Sequence, residues 1–130
     1  MKRLLFAALM TVCSVSWAEW DLIEINEEFV FYFDKKTIQK NGTAVKMWEM
    51  KDYVSVQYFQ GEQYNSEKIY KVYDCNSKMQ TIASLIYFSN ELGGGNSIWS
   101  DTRQEKDWEW VATVPSSIGH SLWQIACGKK

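Results

Sequence analysis

The chain has 130 residues, of which 46% are hydrophobic and 15% aromatic, with 14 Lys and Arg against 16 Asp and Glu. That length supports one domain with a modest core and is too short for two. An acidic balance without a basic run argues against nucleic acid or anionic lipid as a partner, leaving only a local patch for an acidic polymer, and a single histidine with three cysteines gives no zinc-type ligand set.

In chain order, the first segment reads as a targeting signal. Lys2 and Arg3 precede an apolar run from Leu4 to Val12, and Ser16-Trp17-Ala18 places small residues at the −3 and −1 positions of a cleavage site. Residues 1–18 are therefore expected to be a cleaved secretory signal peptide, with the domain spanning 19–130. The apolar run is too short to cross a bilayer, and no later stretch is long and apolar enough to do so. Cys13 is no lipid anchor, because the branched Val12 precedes it where a small residue is needed. Losing Lys2 and Arg3 leaves 12 basic against 16 acidic residues, a net charge of −4. Cys75 and Cys127 then remain in an oxidising compartment, the periplasm or the cell surface, and read as one disulfide. Closing that loop is worth about 4 kcal/mol on the chain-entropy account.

Trp20 to Ile25 reads as a first strand, and Phe29-Val30-Phe31-Tyr32-Phe33 as the strongest one. Phe29, Phe31 and Phe33 share a face, with Val30 and Tyr32 on the other, so this strand is expected to be central and covered on both sides. Asp34 to Thr37 is read as a turn, and Asn41-Gly42 as a tight reversal. Ala44 to Tyr53 forms the next strand, followed by an exposed loop from Gln57 to Asn65. Ser66 to Cys75 and Met79 to Phe88 flank the polar Asn76-Ser77-Lys78 and predict a hairpin. Gly93-Gly94-Gly95 reads as a flexible loop, and Asp101 to Lys106 as a solvated charged run. Trp108, Trp110, Ala112 and Val114 alternate as a strand that Pro115 stops. Ser116 is placed as the cap of a helix to Ala126, with Ile118, Leu122, Ile125 and Ala126 as its packing stripe.

No catalytic set emerges. His120 with Ser116 or Ser117 lacks a third group to orient the imidazole, and the glycine run lacks the Lys-Ser/Thr of a phosphate loop. Asp101, Glu105, Asp107 and Glu109 do not match a calcium loop. Trp108 and Trp110 share a face, which packs under the helix as core or serves as a platform for a glycan or a protein. The residues thus describe an exported α+β domain, an antiparallel sheet with a C-terminal helix tethered to one face by the Cys75–Cys127 disulfide. No enzyme, cofactor or metal is expected.

The segments Phe31-Tyr32-Phe33-Asp34, Val45-Lys46-Met47-Trp48, Ser66-Glu67-Lys68, Tyr73-Asp74-Cys75 and Val114-Pro115-Ser116-Ser117, with terminal Cys127, resemble the surface-adhesin protein E-like family of Gram-negative bacteria. The resemblance implies an antiparallel β-sheet of about six strands with the same helix and disulfide, together with a tendency to form a homodimer. It also implies binding of host matrix or serum proteins such as vitronectin, laminin and plasminogen. Here the segment before the Cys75 strand reads Gly61-Glu62-Gln63, where the adhesin has a basic stretch. The other reading of these residues is a periplasmic small-ligand or glycan-binding protein that uses Trp108 and Trp110.

Overall fold

The computed structural model describes residues 19–129, and the expected signal peptide lies outside them. The strands are β1 (Asp21–Ile25), β2 (Phe29–Asn41), β3 (Ala44–Phe59), β4 (Glu62–Asp74), β5 (Met79–Phe88), β6 (Ser97–Thr102) and the two-residue β7 (Val111–Ala112). Among the described residues one α-helix, α1 (Ile118–Cys127), follows the strands. The first six strands form an antiparallel meander in sequence order, and β7 adds onto β5 through Met79↔Ala112 and Gln80↔Val111.

Period-2 alternation decides which face is covered. Phe31 and Phe33 of β2, Val45 and Met47 of β3, and Ile69 and Tyr73 of β4 project to one side and meet Leu122, Trp123 and Ala126 of α1. Burying these side chains stabilises by roughly 1.5–3 kcal/mol apiece, so this layer carries most of the core. The packing stripe differs by one residue from the expected one. Trp123 is buried and Ile125 is exposed, because the Trp123 indole donates to Asp74 O at 2.8 Å and turns that side of α1 inward. With α1 on one face only, Val30 and Tyr32 stay half-buried, so β2 is interior but not sealed on both sides.

The cap lies one residue later than predicted. Ser117, in extended conformation, accepts the His120 amide, whereas Ser116 takes a left-handed conformation (φ 65°) that turns the chain into the helix. Gly128 closes the other end in the left-handed region (φ 64°) that favours glycine, and its amide meets Gln124 O and Ile125 O. Cys127, in the last turn, bonds to Cys75 immediately after β4, with Cα atoms 5.5 Å apart. The helix is thereby stapled to the end of β4 whose hairpin with β5 the sequence predicted.

Four expected irregular or regular segments are corrected. The chain does not turn at Asp34–Thr37: β2 runs on to Asn41 through a bulge in which Lys35 to Ile38 lie opposite Met47 alone. Thr37 Oγ1 fills the broken ladder, donating to Asp34 O at 2.6 Å and accepting the Trp48 amide at 2.9 Å. The expected Gln57–Asn65 loop is instead the tip of the β3–β4 hairpin. Its Gln60-Gly61 turn has positive φ at both residues, which suits a tight reversal of twisted strands.

The glycine run is ordered. Glu91–Gly93 forms a 3-10 turn whose backbone is held by Ser66 Oγ, which donates to Asn90 O at 2.7 Å and accepts Gly93 N at 2.8 Å. Asp52 Oδ1 accepts Leu92 N at 2.9 Å. The alternating Trp108–Val114 run is a strand only at Val111–Ala112. Its buried residue is Thr113, whose amide and hydroxyl both donate to Lys78 O. Those two hydrogen bonds fix Thr113 inward and leave Val114 exposed.

Candidate functional site

Trp108 and Trp110 are brought together but not under the helix. Their rings meet edge to face with centroids 6.0 Å apart, and neither joins the core around α1. Trp108 is positioned by an indole bond to Arg103 O at 3.2 Å and by the Lys46 ammonium 5.6 Å from its ring. Lys46 alternates with Val45 and Met47, so the pair lies toward the face opposite α1. Trp110, Val111 and Val114 are exposed. A 3-10 turn at Glu105–Asp107 sets up this shelf, and local acidic residues do not make it a metal site. Among the described residues no cluster of three or more His, Cys, Asp or Glu is arranged to hold an ion.

His120 and the serines before it do not form a nucleophile and base. Ser117 Oγ donates to Val114 O and accepts the His120 amide, so it is consumed as a cap. The imidazole stacks on Trp123 and presents Nδ1 at 3.3 Å to Thr113 Oγ1. The bonds around His120 therefore belong to the seating of α1.

Two groups of ionisable side chains escaped the sequence reading. Glu49 is fully buried beside Met47 and Met50 and accepts a hydrogen bond from the Tyr73 hydroxyl, while its Oε1 has no partner. Burial pushes its carboxyl up to about 7, against the opposing charge of Lys71 and the Tyr73 bond. Burial lowers Lys71 in turn, and its ammonium donates to Gln80 Oε1 at 2.7 Å. The same Tyr73 hydroxyl is pushed well up by burial and by Glu49. No substrate reaches a carboxylate sealed in this way, so Glu49 acts on stability. Its signal was present in the inward series Val45, Met47, Glu49, facing Ile69, Lys71, Tyr73, where a charge of each sign interrupts an apolar register.

The second group surrounds Glu67 at the far end of the sheet. Tyr53 donates to Glu67 Oε1 at 3.2 Å, Tyr64 stacks on Tyr87 at 4.3 Å, and Phe59 packs against both Tyr87 and Trp99. Burial raises the Glu67 carboxyl, opposed by the Lys51 charge and the Tyr53 bond. This cluster stiffens the β3–β4 hairpin beyond the helix. On the other side of β3, Val54, Val56 and Tyr58 are exposed. The ladder to β2 ends at Phe29↔Tyr53, so past the Val54 amide bond to Glu28 O the edge of β3 facing β2 has no pairing strand among the described residues.

Comparison with known proteins matches this arrangement to one family. The Surface-adhesin protein E family matches residues 20–128. The chain belongs to that family. Its fold is that of Haemophilus influenzae protein E. One crystal form superposes with a TM-score of 0.60 at 14% identity, covering 81% of this chain and 91% of that one. Protein E from non-typeable Haemophilus influenzae superposes with a TM-score of 0.54 at 16% identity, covering 82% and 75%. No curated protein matches the chain in sequence. The sheet, the terminal helix and the Cys75–Cys127 link are as the sequence reading expected, and the family is one of surface adhesins rather than of enzymes. Among the described residues no helix is long and apolar enough to cross a membrane.

Proposed function

We propose that residues 19–130 form an exported, non-enzymatic interaction module that binds a protein partner, a host matrix or serum protein or a component of the cell envelope, through the Trp108–Trp110 shelf. Membership of a surface-adhesin family supports the class of function. The observation that carries the site is a tryptophan pair held outside the core with exposed Val111 and Val114 beside it. Aromatic anchors of this kind dominate protein interfaces, while the sheet and disulfide keep them rigid and so reduce the ordering cost of binding.

Oxidised domain passed over immobilised vitronectin, laminin and plasminogen, and over an envelope extract, tests the proposal. Saturable binding that falls tenfold or more in the Trp108→Ala/Trp110→Ala variant is expected. Binding that the double variant leaves unchanged moves the interface elsewhere, and binding to none of these removes the adhesin reading. Cell-wall oligosaccharides titrated against tryptophan fluorescence test the glycan alternative on the same residues. Self-association into a homodimer is part of the proposal, and sedimentation across a concentration range measures it. Protease shaving of intact cells separates a surface location from a periplasmic one.

A further inference from the structure

The face of the sheet opposite α1 holds a cleft of about 320 Å³. Its walls are Trp20, Trp48, Ile86 and Phe88, with Asp34 and Lys68 opening into it. This volume is at the small end of ligand sites, which run from about 300 to 1,000 Å³. The cleft is built from distant parts of the chain. Trp48 is held flat by stacking on Tyr70 at 4.7 Å, and Lys68 projects from β4 between Trp20 and Phe88, 5.9 and 5.1 Å from their ring centres. Gly93 leaves room for it: a Cβ there would stand 2.5 Å from Lys68 Cε.

The two charges in the cleft are unspent. Among the described residues the Lys68 ammonium has no carboxylate within 4.0 Å and no hydrogen bond, unlike Lys35 and Lys36, which pair with Asp21 and Glu19. Asp34 is 7% exposed, and its Oδ1 accepts the Lys36 amide at 3.1 Å. Its Oδ2 has no partner among the described residues. Opposite charges that line one small apolar cleft without touching each other match a molecule that carries both charges itself. From this geometry we infer that the cleft binds a free α-amino acid with an apolar side chain. Its carboxylate is taken by Lys68, its ammonium by Asp34, and its side chain by Trp20, Trp48 and Phe88. A simple organic anion is disfavoured by Asp34, and a simple cation by Lys68. This site is separate from the Trp108–Trp110 shelf, and neither reading depends on the other.

The test titrates the oxidised domain with L-phenylalanine and L-leucine, by calorimetry and by the emission of its tryptophans. N-acetyl-L-phenylalanine, lacking the ammonium, and L-phenylalanine amide, lacking the carboxylate, are run alongside. Both free amino acids are expected to bind, and each blocked derivative to bind at least about tenfold more weakly, as loss of one charge-assisted hydrogen bond dictates. Lys68→Met is expected to weaken the free amino acid by a similar factor while leaving the amide unaffected, and Trp110→Ala to change nothing. Asp34 also holds the β2 bulge, so thermal unfolding of Asp34→Asn is checked first, and the derivative series stands without it. No heat and no spectral change with either amino acid overturns the inference, as does equal binding of the blocked and free forms.

Discussion

The two faces of the sheet differ in how they treat charge. On the face that carries α1, Glu49 is fully buried, bonded to the Tyr73 hydroxyl and with one oxygen unpaired. On the opposite face, Asp34 and Lys68 border a cleft, and Lys46 lies over Trp108. A carboxylate sealed on every side costs stability and can touch nothing outside the protein, whereas charges that line a cleft can meet a ligand. The helix side thus carries most of the core, and the other side, left uncovered by α1, carries both surfaces proposed above to bind. The difference follows from a single topological fact: the described residues supply one α-helix, and the disulfide commits it to one face.

Breaking the clip should have the largest effect. Cys75→Ser/Cys127→Ser, or reduction, releases a link between residues 52 apart in sequence, and a loss of about 4 kcal/mol is expected from chain entropy. Urea unfolding of the oxidised and reduced domain measures it. Next is Leu122→Ala, which empties a fully buried position on α1 and should cost roughly 2–5 kcal/mol by the same assay.

Glu49 gives a pH-dependent test. Its carboxyl is raised from its ordinary value of 4.5 to about 7 when folded. Below the lower value both folded and unfolded chains are protonated and the residue costs nothing through ionisation. Between the two values the unfolded chain ionises first, so stability falls as pH rises. Above about 7 the loss is complete, at most about 3 kcal/mol. Glu49→Gln should flatten that slope and be the more stable protein above pH 7, by an amount reduced because Lys71 loses its counter-charge. A pH series of thermal unfolding checks it, and identical slopes for the two proteins would refute the assignment. The smallest effect is expected at Trp110→Ala, within about 0.5 kcal/mol for an exposed ring, while partner binding falls sharply.

How far the sequence revealed this structure depended on the range of the forces involved. The Ser66–Phe88 hairpin was legible because alternation and a polar turn are local signals, and the disulfide because only two cysteines follow residue 18. Asp34 to Thr37 looked like a turn because Lys35 and Lys36 are charged. The hydroxyl of Thr37 instead replaces a ladder bond and lets β2 continue. The glycine run looked loose because its anchors, Ser66 and Asp52, lie far back in the chain. Trp108 to Val114 kept a strand's alternation, but the bonds from Thr113 to Lys78 O reversed which residue points inward. The Trp20–Trp48–Phe88 cleft had no local signal, since its walls come from the segment before β1 and from strands β3 and β5.

Hydrogen exchange of the oxidised and reduced domain tests the division between the two faces most directly. With the disulfide intact, the amides of Ile118–Cys127 should be protected to the same degree as those of β3 and β4, because helix and sheet open as one unit. On reduction α1 should lose protection first, before the β3–β4 ladder. Free exchange of α1 in the oxidised protein, or protection of α1 unchanged by reduction, would contradict a fold held by a helix clipped to one side of its sheet.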